Sequence, residues 1–275
     1  MPSRRFLSCI LALAVGLAAL PAVAAGGFIV VASTTSTQDS GLFDYLLPLF
    51  TKRTGVEVRV VAKGTGEAIR LAQAGDADVL FVHDQPSEEK FVAEGYGVKR
   101  YPVMYNDFVI AGPRSDPARV GGMRDAVAAF AKIIDGKNIF ASRGDDSGTN
   151  KAELRLWKEA GINVRALSGV SYYETGAGMG ATLNTAADMG AYTLTDRGTW
   201  IAFKNKRGLA LLVEGDKRLF NQYGVVLVNP RRFPSVKAAD GQAFIDWLVS
   251  PEGQSAIADY RVDGLQLFYP DATRS

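Results

Sequence analysis

The stretch Phe28–Leu42 reads FIVVASTTSTQDSGL. It begins with an apolar run of strand length, Phe28–Ala32, and passes directly into five small hydroxyl residues, Ser33–Thr37. Apolar side chains then recur at helical spacing from Leu42 to Phe50. A strand, a hydroxyl-rich loop and an amphipathic helix in this order predict a βα unit. Its loop places hydroxyl groups at the start of a helix.

The same alternation continues along the rest of the chain. The predicted strands are Phe28–Ala32, Glu57–Ala62, Asp78–Val82, Phe108–Ala111, Ile139–Ser142, Ala191–Leu194 and Val225–Val228. The predicted helices are centred on Leu42–Phe50, Ala68–Ala72, Arg124–Ile134, Leu154–Lys158, Thr182–Met189, Gln242–Val249 and Glu252–Tyr260. This order predicts an α/β fold with a largely parallel sheet that carries helices on both faces.

Three loops resemble one another in composition and position. They are Ser33–Thr37, Ser142–Thr149 and Thr175–Gly180, and Gly64–Gly66 is a weaker fourth copy. Each combines hydroxyl groups with backbone N–H groups at the positive end of a helix dipole, which is the chemistry of an anion cradle. One such loop alone indicates only an ordinary helix cap. Three in one chain, one of them with an arginine, predict an anion site.

Arg143 lies between a strand end and a Ser-Gly-Thr helix start. Ligands of open α/β folds bind in the crevice at such carboxyl ends of strands. A guanidinium can hold two oxygens of one oxyanion, so we expect Arg143 in the site rather than on the surface. Asp145 and Asp146 have three possible roles: to orient Arg143, to cap the helix, or to accept a proton from a protonated anion.

Composition excludes several classes of protein. The chain has 275 residues, 47% of them hydrophobic and 22% charged, which indicates a globular protein. Lys and Arg number 31 and Asp and Glu 29, and residues 1–24 contain two arginines and no acid, so the remainder has 29 of each and is neutral. A neutral chain does not fit a nucleic-acid-binding protein. Cys9 and His83 alone cannot build a zinc cluster, so we expect no metal site and no cofactor.

The first 24 residues have the features of a secretory signal peptide. Arg4 and Arg5 precede an apolar core, Phe6–Leu20, and Ala22-Val23-Ala24 is a small-x-small cleavage site. The apolar core is shorter than the roughly 18 residues that a membrane span needs. We therefore expect a mature chain that starts at Ala25, contains no cysteine and is exported to a periplasm.

Two enzyme classes have partial signatures. Gly176-x-Gly178-x-x-Ala181 matches a relaxed dinucleotide fingerprint, and Asp196 follows at about the expected spacing. The match lies mid-chain without a clear βαβ unit around it. For a serine hydrolase, Ser147 lacks the G-x-S-x-G elbow, and His83 is the one available base. We therefore expect a binding protein with no catalytic residues, and keep a hydrolase or oxidoreductase as the second class.

Several motifs resemble one family in the order in which they occur. The segment Ser33–Leu42 resembles the Thr-Thr-Thr-Ser segment that opens the tungstate-binding proteins of ABC importers, with Ser33 where that family often has Thr. The other segments that resemble this family are Gly64–Ala68, Asp78–Leu80, Tyr105–Val109, Ser142–Thr149, Glu174–Gly180 and Leu194–Trp200. The resemblance covers essentially the whole mature chain.

This resemblance implies a type II periplasmic binding-protein fold, in which two α/β lobes enclose an anion and two crossover strands join them. The crossovers would be Tyr105–Gly112 and Tyr223–Val228, with lobe 1 at residues 25–107 and 225–275 and lobe 2 at 108–224. The implied oxyanion-binding residues are Thr34, Thr35, Ser36, Thr65, Gly66, Arg143, Ser147, Gly148, Thr149, Gly178 and Tyr192. Core packing is the ordinary alternative for Tyr192, and side-chain contacts are not distinguished from backbone contacts. The implied partner is the membrane permease of an ABC importer. We expect the binding protein itself to be a monomer.

The identity of the anion stays open within this class. Molybdate, phosphate and sulfate are the alternatives to tungstate. Phosphate carries a proton at neutral pH and benefits from an acceptor, which Asp145 or Asp146 could supply. Tungstate and molybdate are nearly identical in size and charge, so only the family resemblance favours tungstate.

Overall fold

The computed structural model describes residues 27–272. The predicted signal peptide, residues 1–24, lies outside them. Within residues 27–272, none of the helices combines the length and the apolar character needed to cross a bilayer.

Strands and helices alternate through most of the chain. The strands are β1 Phe28–Thr34, β2 Glu57–Lys63, β3 Val79–Val82, β4 Gly97–Pro113, β5 Phe140–Ser142, β6 Tyr172–Glu174, β7 Thr193–Asp196, β8 Leu209–Val213, β9 Phe220–Val228, β10 Arg261–Val262, β11 Leu265–Gln266 and β12 Tyr269–Pro270. The helices are α1 Thr35–Asp39, α2 Leu42–Thr54, α3 Thr65–Ala74, α4 Gln85–Ala93, α5 Ala126–Asp135, α6 Gly148–Glu159, α7 Met179–Met189, α8 Arg197–Ala202, α9 Ala238–Val249 and α10 Pro251–Asp259. Short 3₁₀ helices cover Val164–Leu167 and Lys217–Leu219.

The main sheet is mixed, and the prediction of a largely parallel sheet is wrong. Its strand order is β12-β4-β9-β3-β1-β2, with β7 and β8 also paired to β4. β1 pairs in parallel with β2 and β3, and β5 with β6. Every pairing of β4 and β9 is antiparallel. The two long strands β4 and β9 are antiparallel to their neighbours, and the sheet is therefore mixed.

β4 extends well beyond its predicted range, Phe108–Ala111. It starts at Gly97, and it continues through Gly112 and Pro113 because these residues pair with Ala210 and Leu209 of β8. Its first half pairs with β9 and its second half with β7 and β8. β4 is thus a connection between two separate parts of the molecule.

Buried apolar side chains divide accordingly into two lobes. One core uses residues between Ile29 and Met104 and between Tyr223 and Phe268, and we call the part around it lobe 1. Two further clusters lie between Phe108 and Leu219, and we call the part around them lobe 2. β4 and β9 run from one lobe to the other.

Candidate anion-binding site

Four strand-to-helix connections at the carboxyl ends of strands meet where the lobes touch. Lobe 1 contributes the β1–α1 and β2–α3 connections, and lobe 2 contributes the β5–α6 and β6–α7 loops. The prediction of a loop at Ser33–Thr37 is wrong, because β1 continues to Thr34 and α1 begins at Thr35. The Gly66 N–H donates to the Asp146 carbonyl at 3.0 Å. A Cβ on Gly64 would lie 2.7 Å from the Asp145 carbonyl oxygen, so this approach of the two backbones requires glycine. The loops that the sequence singled out are therefore neighbours.

Arg143 is the charged centre of this arrangement and is buried, with 1% of its surface exposed. Its Nε and Nη2 donate to Asp145 Oδ2 at 3.1 and 2.6 Å. Nη2 also donates to Thr35 Oγ1 of the other lobe at 3.1 Å. Nη1 is buried and has no hydrogen-bond partner. The guanidinium is therefore held on one side and keeps a buried donor on the other.

The two aspartates beside Arg143 have different roles. Asp145 orients Arg143 through Oδ2, while its Oδ1 accepts the Ser147 N–H at 3.2 Å. Asp146 is exposed, and its carboxylate pairs with Lys151 at 2.5 Å and Arg70 at 3.6 Å. Of the roles left open by the sequence, the structure supports orientation of Arg143 for Asp145.

Buried hydroxyls without partners lie in both lobes. Among residues 27–272, five buried side-chain nitrogen or oxygen atoms have no hydrogen-bond partner, and three belong to Thr65, Arg143 and Thr149. Buried polar atoms are normally paired, so three orphans in loops that meet call for an explanation. All three can donate a hydrogen bond, so an anion bound between them is one explanation.

Ser147 and Gly148 start helix α6 at this point. The Ser147 hydroxyl accepts the Asn150 N–H at 3.2 Å and caps the helix. A Cβ on Gly148 would lie 2.9 Å from two atoms of the His83 ring, so the start of α6 packs closely on lobe 1. Gly178 is nearer the periphery, and a Cβ there would lie 3.8 Å from Thr35 Oγ1.

The hydroxyls of the β1–α1 loop are largely bonded among themselves. Thr34 Oγ1 lies 3.1 Å from Ser36 Oγ and 2.8 Å from Thr37 Oγ1, and it accepts the Thr37 N–H at 3.3 Å. Ser36 Oγ lies 3.0 Å from His83 Nε2. Within this loop, only Thr35 places its hydroxyl directly against Arg143.

Sequence reasoning treated His83 as a packing residue or a weak candidate base, and did not place it beside the predicted site. Its Nδ1 lies 3.0 Å from Asn221 Oδ1, and its ring stacks on Tyr223 with centroids 4.7 Å apart. Burial lowers the pKa of His83, which favours the neutral ring. The position directly after the buried strand β3 was the signal that could have revealed it.

A buried carboxyl, Glu153, lies against Ser142, the residue before Arg143, and was also missed. It accepts hydrogen bonds from Ser142 at 2.8 Å, Trp157 at 3.0 Å and Tyr172 at 2.7 Å. Burial raises the pKa of Glu153 to about 7. A glutamate in a helix is usually exposed, so the sequence offered no signal for it.

Tyr192 is not brought into the cluster. It is fully buried in the core of lobe 2, where its hydroxyl accepts the Ala118 N–H at 2.9 Å and donates to Asp116 Oδ1 at 2.9 Å. Its ring packs against Gly112, where a Cβ would lie 2.5 Å from a ring carbon. Tyr192 is therefore a core residue of lobe 2, which was the ordinary alternative for an aromatic residue on a strand.

The enzyme signatures have structural roles. Asp196 caps α8, with Oδ2 accepting the Thr199 N–H at 2.8 Å and Oδ1 the Thr199 hydroxyl at 2.6 Å. The His83 ring nitrogens face Ser36 and Asn221, so neither is directed at Ser147. In the part of the chain that the structure describes, no group of three or more His, Cys, Asp or Glu residues could hold a metal ion.

Comparison with known proteins identifies the family. Residues 20–252 match the model of the PBP superfamily domain. The chain is 49% identical to the tungstate-binding protein TupA of Peptoclostridium acidaminophilum over 254 residues, which are 91% of this chain and 88% of that protein. A solved structure of the tungstate-binding protein TupA from Desulfovibrio alaskensis is 45% identical with a TM-score of 0.77, covering 90% of this chain and 100% of that one.

A second solved structure, the tungstate ABC transporter from Geobacter sulfurreducens, is 49% identical with a TM-score of 0.77 and covers 85% of this chain and 98% of that one. Both solved structures have the α/β fold of this chain, and the similarity extends over 85–90% of this chain and 98–100% of theirs. The chain therefore belongs to the PBP superfamily, in the family of the tungstate-binding proteins.

Proposed function

We propose that this protein captures tungstate between its two lobes and delivers it to an ABC importer. The observation that carries the proposal is the set of three buried, unpartnered polar atoms, Arg143 Nη1, Thr65 Oγ1 and Thr149 Oγ1. They come from two of the segments that meet between the lobes: Thr65 lies at the start of α3 in lobe 1, and Arg143 and Thr149 lie on the β5–α6 segment of lobe 2. One donor is cationic and two are neutral, which suits a small anion. The family is one of binding proteins, so the task is capture and not chemistry.

The site must replace the water that the anion loses. Each oxyanion oxygen needs a new donor, because an anion buried without hydrogen bonds is strongly disfavoured. Arg143 supplies the charge, and a charge-assisted hydrogen bond is roughly twice as strong as a neutral one. Thr35, Thr65, Ser147 and Thr149 supply hydroxyls. Gly64 allows the backbones of the two lobes to approach, Gly66 and Gly148 leave room for the Asp146 side chain and the His83 ring, and Gly178 lies beside Thr35.

The arrangement around Asp145 favours an anion without a proton. HPO₄²⁻ needs an acceptor for its hydrogen, and Asp145 is the carboxylate beside Arg143. Both of its oxygens already accept hydrogen bonds, from Arg143 and from the Ser147 N–H. Asp146 points to Lys151 and Arg70 instead. Oδ1 keeps a second lone pair, so Asp145 is a weakened acceptor for the phosphate hydrogen and not an absent one, and the choice of tungstate rests on the family.

Capture by closure follows from the fold. We propose that lobe 1, residues 25–107 and 225–275, and lobe 2, residues 108–224, hinge about β4 and β9. The Gly66–Asp146 and Arg143–Thr35 hydrogen bonds join the lobes beside the site and would form as they close. The proposal has four further parts. Residues 1–24 are removed on export, the protein is periplasmic and monomeric, and it docks on a membrane permease.

Calorimetry tests the proposal directly. The protein without residues 1–24, freed of oxyanions, is titrated with tungstate, molybdate, sulfate and phosphate in turn. We expect tungstate to bind most tightly and phosphate most weakly of those that bind. A ligand of the native state at a thousandfold excess over Kd stabilises it by about 4 kcal/mol, so tungstate should also raise Tm clearly. Absence of binding by all four anions contradicts the proposal.

A further inference from the structure

His83 connects the β1–α1 loop to both crossover strands through buried side chains. Ser36 Oγ lies 3.0 Å from His83 Nε2, and His83 Nδ1 lies 3.0 Å from Asn221 Oδ1. Asn221 Nδ2 donates to Asn106 Oδ1 at 2.7 Å. All four residues are at least 97% buried. Asn106 on β4 and Asn221 on β9 are direct partners in the sheet, so the chain of hydrogen bonds ends on the crossover strands.

The Asn221 amide determines which nitrogen of His83 carries the proton. Its Nδ2 donates to Asn106 Oδ1 and lies 3.3 Å from the Tyr223 hydroxyl, so its oxygen faces the histidine; in this arrangement Asn106 Nδ2 is buried without a hydrogen-bond partner. An amide oxygen only accepts, and the His83 proton is therefore on Nδ1. A neutral ring then has an acceptor at Nε2, and the Ser36 hydroxyl is the donor to it.

Charge and burial around the ring favour this neutral form. Burial lowers the pKa of His83, and the positive charge of Arg143 acts in the same direction. The carboxylates of Asp196 and Asp84 act in the opposite direction, but Asp84 is paired with Arg155 at 2.7 Å and Asp196 is bonded to Thr199. The Tyr223 ring that stacks on His83 is uncharged, since burial raises its pKa well above the ordinary value.

We propose that His83 is a positioning residue of the anion site, which in its neutral Nδ1–H form accepts a hydrogen bond from the Ser36 hydroxyl at Nε2 and keeps that hydroxyl from donating to the bound anion. This inference rests on the proposed function and refines it. Thr35, Thr65, Ser147 and Thr149 then remain as hydroxyl donors to the anion. The crossover strands select the tautomer, and through it the direction of the Ser36 hydroxyl.

The opposite arrangement makes a distinct prediction. If the amides of Asn221 and Asn106 are both turned over, Asn221 Nδ2 donates to His83 Nδ1. The His83 proton is then on Nε2, it donates to Ser36 Oγ, and the Ser36 hydroxyl is free to donate to the anion. The two arrangements differ in the tautomer of one residue, which can be measured.

The chain contains one histidine, so its ring signals need no assignment. Long-range ¹H–¹⁵N spectra of labelled protein at neutral pH should show a protonated Nδ1 and an unprotonated Nε2, both without anion and with saturating tungstate. A protonated Nε2 in either state overturns the inference. The anion-free spectrum tests the tautomer even if calorimetry finds no tungstate binding, so the two proposals can fail separately.

Two matched variants add a functional measurement. Gln at position 83 can place its amide near the position of Nε2, where its oxygen accepts from Ser36. Asn reaches only the position of Nδ1 and retains the bond to Asn221. We expect His83→Asn to bind tungstate at least about threefold more tightly than His83→Gln, because only His83→Asn frees the Ser36 hydroxyl to donate a hydrogen bond to the anion. Equal affinities in two variants with the same Tm contradict the positioning role. If neither variant folds, the spectra of the unmodified protein still decide.

Discussion

The two lobes contribute opposite kinds of chemistry to the site. Lobe 1 presents Thr35 and Thr65, and behind its β1–α1 loop lies the neutral His83–Asn221 pair. Lobe 2 presents Arg143, held by Asp145, and the buried Glu153 lies against the neighbouring Ser142. In the proposed site, lobe 2 would therefore balance the charge of the anion, whereas lobe 1 would supply neutral donors alone. This division predicts that lobe 2 carries most of the binding free energy.

The largest effect should come from Arg143→Ala. It removes the buried cation of lobe 2 and strands Asp145, and loss of one partner of a buried charge pair costs about 2–5 kcal/mol. Calorimetry with tungstate should therefore show at least about a thirtyfold loss of affinity. Arg143→Lys should recover only part of this, because an ammonium is a point donor without the planar fork. An Arg143→Ala variant within threefold of the unmodified protein contradicts the division between the lobes.

Glu153→Gln tests the buried carboxyl of Glu153 through the pH dependence of the free energy of unfolding. Burial raises the pKa of Glu153 in the folded protein to about 7, from 4.5. The folded state thus binds more protons than the unfolded state between these values, so stability falls as pH rises from about 4.5 to 7 and then levels off. The full effect is up to about 3 kcal/mol.

In Glu153→Gln this fall should become smaller, as measured by urea unfolding of the anion-free protein at pH 5 and pH 8. A residual fall is expected from Glu88 in lobe 1, since burial also raises its pKa to about 7. Unfolding free energies with the same pH dependence in both proteins would show that Glu153 ionises normally.

Thr65→Ala and Thr149→Ala form a matched pair, one from each lobe. Each removes one buried hydroxyl that has no partner in the protein. We expect similar losses of anion binding, about 0.5–1.5 kcal/mol each, because each variant removes one neutral hydrogen bond. Stability of the anion-free protein should stay unchanged or rise, since an unsatisfied buried group disappears. A destabilised variant with unchanged affinity would place that hydroxyl in the fold instead of the site.

The smallest effect concerns the contact between the lobes away from the anion. Arg155 of lobe 2 pairs with Asp84 of lobe 1 at 2.7 Å, and its side chain is half exposed. Since exposed pairs are screened by solvent, Arg155→Ala should weaken tungstate binding by at most about 1 kcal/mol, or about fivefold. Glu252→Ala, which removes an exposed ion pair with Arg53 within lobe 1, is the control and should leave affinity unchanged. Equal losses of tungstate affinity in the two variants would show that the Arg155–Asp84 pair does not contribute to closure of the lobes.

Local sequence patterns were enough to predict two segments that the structure places where the lobes touch, Ser33–Thr37 and Ser142–Thr149, which are bounded by clear strand and helix signals. Thr65, in the copy that looked weakest, is fully buried and unpartnered. The glycines on either side of it, Gly64 and Gly66, lie against Asp145 and Asp146, some eighty residues away, and no local pattern reports such neighbours.

What could not be predicted depends on pairing between distant segments. The first half of β4 contains charged residues and no continuous apolar run, because it is stabilised by β9 and not by its own pattern. The direction of that pairing made the sheet mixed. His83 and Glu153 are single polar residues whose burial follows from neighbours on other elements. Tyr192 is the opposite case: it was listed as a residue that contacts the anion, and the structure places it in the core of lobe 2.

The place of β9 in the main sheet has a consequence for how the chain folds. β9 lies between β3 and β4, so the half-sheet made of β1, β2 and β3 has no bond to β4 until residues 220–228 are available. About 140 residues of lobe 2 and its connections separate β3 from this central strand. Lobe 2 closes from contiguous chain, whereas lobe 1 requires a contact of high sequence separation, and such contacts form slowly. During synthesis, lobe 2 can therefore be complete while lobe 1 still exposes two unpaired strand edges, which is the period of greatest risk of aggregation.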